Sequence, residues 1–373
     1  MNFAKPELLA PAGDYTRFRY AVEYGADAVY VGGEEFSLRT AVANFPRADL
    51  ARAVDYAHRR NVRVYAACNT VPRNDELERF SDYLQFLKKI EIDALIVSDI
   101  GLFMMIRDEC PEMEIHVSTQ ANVSNYADCL AWHRLGAKRV VLARELTFDE
   151  ISQIRRRTPD SLEIEAFVHG AMCVSHSGRC LLSNFMTGRD ANRGNCAQAC
   201  RWKYGIVEEK RPGQYMPVEE TDTGTFIFNS KDLCMIDRVP DLISAGITSF
   251  KIEGRVKTEY YVACVVAAYR RAIDACFSDL GEYERIIPEL REEVCKVSHR
   301  PYFTGFYYGD QKAESMNFNE SGYIRDYEVS GIVTGYDYAR GCVVLSQRNK
   351  FVIGDECEFL IPGKGSKKIV VEK

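Results

Sequence analysis

Five of the thirteen cysteines lie close together, and four of these fall in one polar, glycine-rich stretch, residues 169–202. The five are Cys173, Cys180, Cys196, Cys200 and Cys234. The stretch has little of the apolar periodicity of a core helix or strand, so something other than a hydrophobic core must fix its shape. Thiolate ligation of a metal centre would do so, and four thiolates are the usual ligands of a [4Fe-4S] cluster.

The cysteine spacing argues against other common sites. No CxxC pair occurs in the chain, which weighs against zinc ribbons and thioredoxin-like chemistry. Cys196 and Cys200 lack a further cysteine three positions on, so the CxxxCxxC pattern of radical-SAM enzymes is absent. Structural zinc on the same cysteines is the alternative that remains. The other eight cysteines mostly lie in apolar patterns, where we expect inert core residues.

Length and charge bound the class of protein. The chain has 373 residues and a net charge of −6, so nucleic-acid binding would have to come from a local basic patch. No stretch approaches the roughly 18 consecutive apolar residues of a membrane span, and the N-terminus lacks the apolar core of a signal peptide. We therefore expect a soluble, cytoplasmic protein with reduced thiols.

Eight short apolar runs separated by helical patterns predict the fold. They cover residues 6–12, 27–32, 62–68, 93–98, 113–118, 138–143, 162–168 and 247–253. Strands that alternate with helices in this way are typical of a (β/α)8 TIM-type barrel, in the α/β class. An open doubly wound sheet would require a GxGxxG motif after the first strand, and residues 11–14 (PAGD) do not supply one.

Three parts follow from this pattern. The barrel is predicted over residues 1–280, with a long cysteine-rich insertion at 169–246 after the seventh strand, and connections of that length are usually functional. A connecting arm is predicted over 281–327. Residues 328–373 contain four short strands of period two, which predict a small β-barrel-like domain. Because a closed barrel usually needs at least about five strands, we expect the chain to stop inside this domain.

The active site of such a barrel lies at the carboxyl ends of the strands. The candidate catalytic residues there are His169, Glu145, Glu253 and Arg255. The candidate substrate-binding residues are Arg39, Asn69, Gln120, Arg189 and Arg193. The arginines are selected because a guanidinium fork matches both carboxylate and phosphate. The alternative for each of these polar residues is a helix cap, a loop hydrogen bond or a surface salt bridge.

Four segments resemble the peptidase U32 family, long described as collagenase-like peptidases. They are LLAPAGDYTRFRYAVEYGADAVYVGG (8–33), FSLRTAVANF (36–45), FVHGAMCVSHSGRCLLSNFMTGRDANRGNCAQACRWKY (167–204) and SFKIEGRVKTEYYV (249–262). The family also contains proteins of tRNA uridine 5-hydroxylation, ribosomal RNA cytidine hydroxylation and oxygen-independent ubiquinone hydroxylation. The resemblance implies a [4Fe-4S] cluster on Cys173, Cys180, Cys196 and Cys234, with Cys200 as an alternative ligand, and prephenate as a co-substrate in the tRNA branch.

Three functions are compatible with this resemblance. The preferred one is an iron–sulfur enzyme that supports 5-hydroxylation of tRNA uridine, alone or with a partner subunit or as a homo-oligomer. The second is a U32-type peptidase, for which His169, His176 and Ser177 offer a partial nucleophile and base, although the chain has no GxSxG or HExxH motif. The third is hydroxylation of a quinone precursor. RNA binding has local support in an excess of basic residues over 179–211 and in an aromatic run over 302–308 that could stack on bases.

Overall fold

The structure, a computed structural model, describes residues 4–38, 44–173, 175–202, 220–221, 224–225, 231–309 and 323–372. The first half of its barrel consists of β1 (Glu7–Ala12), α1 (Tyr15–Glu23), β2 (Ala28–Val31), α2 (Arg47–His58), β3 (Arg63–Cys68), α3 (Asn74–Leu77), α4 (Phe80–Lys89) and β4 (Ala94–Val97). The second half continues with α5 (Ile100–Glu109), β5 (Glu114–Val117), α6 (Tyr126–Leu135), β6 (Arg139–Val141), α7 (Phe148–Arg157) and β7 (Glu163–Ala171). Beyond β7 lie α8 (Leu182–Thr187), β8 (Glu220–Thr221), β9 (Gly224–Thr225), β10 (Asp232–Cys234), α9 (Val239–Ser244), β11 (Ser249–Ile252) and α10 (Glu259–Ser278).

Strand pairing closes the barrel. Each strand from β1 to β7 pairs in parallel with the next, and β11 completes the ring by pairing in parallel with β7 and β1. The predicted (β/α)8 barrel is confirmed. Seven of its strands lie inside the predicted apolar runs, whereas β7 continues to Ala171.

The helices begin with polar caps immediately after the strand ends. Asp14 accepts a hydrogen bond from the backbone of Arg17 at 2.8 Å, and Asp99 accepts one from Leu102 at 3.0 Å. These side chains satisfy backbone donors that the first helical turn leaves unpaired. Some polar residues at the strand ends therefore cap helices. This is the alternative role that the sequence analysis gave for polar residues at these positions.

The extension of β7 creates a second, smaller pairing. Its last three residues, His169–Ala171, pair antiparallel with β10. Gly170 has φ +107°, and a Cβ there would lie 2.4 Å from the carbonyl oxygen of Glu253. The close approach of β11 thus requires glycine at this position.

The amino ends of the strands enclose a buried ionic network centred on Arg139, which is 2% exposed. Its Nη1 donates to Glu7 at 2.6 Å and to Glu165 at 2.9 Å, and its Nη2 donates to Glu163 at 2.6 Å. Lys251 Nζ adds a 2.7 Å bond to Glu165. Burial alone would raise the pKa of Glu165, but Lys251 and Arg139 outweigh it and lower the pKa to about 2.

The C-terminal part consists of α11 (Leu280–Cys295), β12 (Tyr302–Phe303), β13 (Gly331–Asp337), β14 (Cys342–Gln347), β15 (Glu356–Ile361) and β16 (Gly365–Val370). The four predicted strands are present, and they pair as two separate antiparallel hairpins, β13–β14 and β15–β16. The second hairpin contacts the barrel helices, because Tyr24 Oη donates to Leu360 O at 2.9 Å and Ser366 Oγ donates to Glu293 at 2.8 Å. Among the helices in the described part of the chain, none has the length and apolarity that crossing a bilayer requires.

Candidate functional site

The cysteine-rich segment (residues 173–202) is attached to loops at the carboxyl ends of the barrel strands. The first attachment joins Ser177 to Glu145, which follows β6. The backbone N–H of Ser177 donates to one carboxylate oxygen of Glu145 at 2.8 Å, and its Oγ donates to the other at 3.0 Å. Glu145, predicted to be catalytic, thus holds this segment in place.

A second attachment involves Gln120, which follows β5. Arg179 Nε donates to the backbone carbonyl of Gln120 at 2.6 Å. The side-chain Oε1 of Gln120 is buried and has no hydrogen-bond partner among the described residues. A buried acceptor without a partner is costly, so this oxygen is one of the polar groups of the site that a ligand would stabilise by donating to it.

A third attachment joins the segment to the loop after β3. The backbone N–H of Val71 donates to Asn192 O at 3.1 Å. The side chain of Asn192 also bonds both backbone groups of Cys180, accepting from its N–H at 3.2 Å and donating to its carbonyl at 3.1 Å. Arg193 Nη2 lies 2.8 Å from Glu76 Oε1. This ion pair occupies Arg193, which had been predicted to bind substrate.

These attachments border a cleft of about 320 Å³. Its lining residues are Val71, Pro72, Arg73, Arg179, Asp190, Asn192 and Arg193. Three of them are arginines and one is an aspartate. Because Glu76 neutralises Arg193, Arg73 and Arg179 remain against Asp190, and the cleft keeps a small positive balance in an otherwise acidic chain. Such a cleft favours an anionic ligand, since guanidinium groups bind phosphate and carboxylate.

Arg255 lies at the mouth, just beyond β11, and is 6% exposed. Its Nη1 donates to Ser37 Oγ at 2.9 Å and its Nη2 donates to Asn44 Oδ1 at 2.9 Å. A Cβ at Gly32 would lie 2.0 Å from Arg255 Nη2, so glycine at this strand end makes room for the guanidinium. Nearby, at Gly33, the buried hydroxyl of Tyr83 has no hydrogen-bond partner among the described residues.

His169 and Glu253 occupy buried positions. His169 is 1% exposed and lies between three tyrosine rings, those of Tyr261, Tyr269 and Tyr302. Burial, together with the positive charge of Lys257, lowers the pKa of His169 to about 3, so its imidazole is neutral at physiological pH. Glu253 is 7% exposed, and its backbone carbonyl accepts a hydrogen bond from Tyr261 Oη at 2.9 Å.

The remaining predicted substrate-binding residues are dispersed. Asn69 Oδ1 accepts from the backbone N–H of Leu38 at 3.3 Å and so supports the loop after β2. Arg189 is exposed, and its Nε donates to Asn195 at 3.0 Å. Arg39 lies outside the described residues.

The five candidate cysteines differ in burial. Cys173 and Cys196 are exposed, Cys180 and Cys200 are half-buried, and Cys234 is buried. Burial raises the pKa of the Cys234 thiol to about 12. Within the ranges that the structure describes, no three His, Cys, Asp or Glu side chains form a group that could hold a metal ion. The four-thiolate ligand set therefore stays a prediction from the cysteine spacing and the family resemblance.

Two of the three residues considered for serine-type catalysis, His176 and Ser177, contact the same carboxylate, whereas His169 lies among three tyrosines. Glu145 contacts both Ser177 Oγ, at 3.0 Å, and His176 Nε2, at 3.7 Å. In a catalytic triad the histidine lies between the serine and the carboxylate and takes the serine proton. Here the carboxylate occupies the middle position, so this arrangement supplies an anchor and no activated nucleophile.

Two contributors to the site were missed at the sequence level. Arg73 and Asn192 line the cleft, yet one follows β3 and the other lies in the cysteine-rich segment. Their proximity depends on the 3.1 Å backbone bond between Val71 and Asn192. The sequence DANRG indicates a turn, but it does not show that this turn contacts the loop after β3.

The family model described as Peptidase family U32 matches residues 13–317. The chain belongs to this family. The model of the U32 C-terminal domain matches residues 325–373 of this U32 protein.

Three relatives extend this result. The chain is 40% identical to tRNA hydroxylation protein P1 of Bacillus subtilis over 96% of its own length and 84% of the relative's. It is 37% identical to tRNA hydroxylation protein P of Escherichia coli, with coverage of 96% and 86%. It is 40% identical to an uncharacterized protease of Methanocaldococcus jannaschii, with coverage of 88% and 78%. The prediction that this U32 protein is an enzyme agrees with these relatives.

Proposed function

We propose that this U32 protein supports the 5-hydroxylation of a uridine in tRNA. The observation that carries the proposal is the similarity, over nearly the whole chain, to two relatives that are named tRNA hydroxylation proteins. The positively charged cleft beside the barrel mouth supports a polyanionic substrate. The order Ser177, Glu145, His176 weighs against serine-type peptide hydrolysis, because the contact between nucleophile and base is missing from it.

The reaction replaces the C5–H bond of the base with a C5–OH bond, which is a two-electron oxidation of uridine. An oxygen donor and an electron acceptor must therefore accompany the RNA. Prephenate, a dicarboxylate, is the co-substrate that the family resemblance suggests. Arg255, held rigidly by Ser37 and Asn44, is the residue that we expect to orient a carboxylate or phosphate at the mouth.

The unpartnered side-chain oxygen of Gln120 would then accept a hydrogen bond from the uracil N3–H or a ribose hydroxyl. Glu145 is proposed to act as a positioning residue, since its contacts hold the cysteine-rich segment rather than face an open site. A [4Fe-4S] cluster on Cys173, Cys180, Cys196 and either Cys234 or Cys200 stays a separate prediction.

Nucleoside analysis tests the function. The chain would be expressed in a bacterial strain that lacks its own tRNA hydroxylation proteins, and its tRNA would be digested and analysed by mass spectrometry. We expect 5-hydroxyuridine with the wild-type chain, a loss of at least about tenfold with Arg255→Gln, and no loss with Arg59→Gln, an exposed residue paired with Asp55 at 2.7 Å. Folded, abundant protein without any 5-hydroxyuridine would refute the proposal.

Metal analysis tests the cluster independently. After anaerobic purification we expect about four irons and four sulfides per chain. Cys180→Ala and Cys196→Ala should each lose most of this iron, whereas Cys342→Ala, an exposed cysteine in the C-terminal hairpins, should retain it. Protein that stays iron-free after reconstitution would remove the cluster from the proposal without affecting the tRNA assay.

A further inference from the structure

The short helix α8 presents an apolar face to solvent. Phe185 is 85% exposed and Leu181 is 76% exposed. The two are four residues apart and joined by a 2.9 Å backbone bond from Phe185 N–H to Leu181 O, so their side chains lie on the same face of the helix. A large aromatic side chain that is left this exposed indicates a contact surface more often than a packing role.

The segments on both sides of α8 line the arginine cleft. Arg179 precedes the helix, and Asp190, Asn192 and Arg193 follow it. The helix is held to these segments, because Ser183 Oγ donates to Arg189 O at 2.8 Å and accepts from Ala197 N–H at 2.9 Å. The apolar face therefore belongs to a helix that lies in the chain between two segments lining the cleft. We call Phe185, Leu181, Arg73 and Arg179 together the α8 surface.

The chemistry of this surface matches single-stranded RNA. Proteins that bind single strands combine a basic groove, which follows the backbone phosphates, with exposed aromatic rings on which bases stack. Unpaired loop bases are the part of a structured RNA that proteins recognise in this way. The aromatic run at 302–308 cannot provide the rings at Tyr302 and Tyr307, because Tyr302 packs against His169 and Tyr307 Oη bonds Phe167 O at 2.6 Å.

We propose that Phe185 stacks on an unpaired base of the RNA substrate while Arg73 and Arg179 contact neighbouring backbone phosphates. This inference rests on the proposed function, and it identifies the surface that binds the RNA loop. A protein partner is the competing occupant of an exposed apolar helix. The arginines of the cleft, which the segments flanking α8 help to line, favour the polyanion in a chain of net charge −6.

Equilibrium binding of the full chain to fluorescently labelled, unmodified tRNA, without turnover, tests the stacking contact. Phe185→Ala should weaken binding at least about fivefold, which is the lower end of the range for one stacked base. Phe185→Tyr, which keeps the ring, should bind within about twofold of wild type. Because the ring is largely exposed, neither change should alter thermal unfolding.

The salt dependence of binding separates stacking from phosphate contacts. Arg73→Gln and Arg179→Gln should each reduce the slope of log K against log salt by about 0.7, the value for one phosphate contact on a single strand. Phe185→Ala should leave that slope unchanged. Arg73→Gln is the cleaner of the two arginine variants, since Arg179 also holds Gln120.

Matched controls lie at the opposite end of the barrel. Phe277, 39% exposed, is near the end of α10, which begins at the mouth and runs about 30 Å away from it. Arg59 immediately follows α2 and is likewise exposed. Phe277→Ala and Arg59→Gln should both leave tRNA affinity and its salt slope unchanged.

A Phe185→Ala variant that binds tRNA as tightly as wild type would overturn the inference. If that variant also loses self-association in sedimentation velocity, the α8 surface is a protein contact instead. The proposed function fails separately, since a chain can bind tRNA through Phe185 and still produce no 5-hydroxyuridine.

Discussion

Glu145 accepts two hydrogen bonds from a single residue, Ser177, at 2.8 and 3.0 Å. Ser177 has φ +46°, a left-handed conformation that serine seldom adopts. The two bonds to one carboxylate stabilise this turn and fix the beginning of the cysteine-rich segment above β6. Glu145 is therefore one of several barrel residues that position this segment, together with Gln120, Val71 and Glu76.

Glu145→Gln should loosen the cysteine-rich segment without unfolding the barrel. Replacing the carboxylate by a neutral amide weakens both bonds, and hydrogen bonds to charged groups contribute about 1.5–3 kcal/mol. We expect amide hydrogen exchange over residues 175–202 to accelerate roughly 10-fold or more, while the strands keep their protection. Glu109→Gln is the control, because Glu109 accepts a 2.7 Å bond from Ser81 on the surface. Unchanged exchange in Glu145→Gln would show that other contacts hold the segment.

Arg139→Leu should destabilise the whole barrel. The substitution leaves Glu7, Glu163 and Glu165 close together without their shared cation. Removing one partner from a buried ionic network costs about 3–5 kcal/mol, which we expect as a lower free energy of unfolding in urea at pH 7. The exposed Arg59→Gln variant should change this free energy by less than about 0.5 kcal/mol. A loss below about 1 kcal/mol would mean that the network is hydrated and only weakly stabilising.

His169 should remain neutral through the physiological range. Its pKa of about 3 in the folded chain lies below the ordinary value of about 6.5 that applies when the chain unfolds. Between these values the unfolded chain binds a proton that the folded chain does not, so stability falls as pH decreases, by up to about 1.4 kcal/mol per pH unit.

NMR of the imidazole protons, assigned with His169→Gln, checks this expectation. The His169 signals should not shift between pH 8 and pH 5. In His169→Gln, the free energy of unfolding should change less with pH, by the contribution of one proton. A titration midpoint near 6.5 would show that the ring reaches solvent and would strengthen the original prediction of a catalytic histidine.

The barrel was predictable because its strands are short apolar runs, each followed by a helix with its own start signal. The run 94–97 (ALIV) is buried throughout, and Asp99 caps the helix that follows. Parallel strands joined through helices leave few topologies to choose from. The end of β7 was less predictable, since Gly170 and Ala171 look like loop residues until β10 pairs with them.

The site was only partly predictable because its contacts join residues distant in sequence. Glu145 and Arg255 follow barrel strands as the sequence pattern indicates, but the contacts of their side chains with Ser177, Ser37 and Asn44 could not be predicted from it. His169 ends buried because α10 and β12 place three tyrosines around it. Cysteine spacing alone does not determine which thiols meet, so the ligand set stays a prediction.

The ionic interior of the barrel also affects how the protein responds to temperature. Exposing apolar surface on unfolding raises the heat capacity, whereas exposing polar surface lowers it. Arg139, Glu165 and Lys251 occupy an interior that branched aliphatic side chains fill in most TIM barrels. Each of these buried charges therefore lowers the heat capacity of unfolding relative to an aliphatic side chain in its place. The cost of desolvating the charges also falls on heating, so the contribution of this network weakens less with temperature than that of apolar burial.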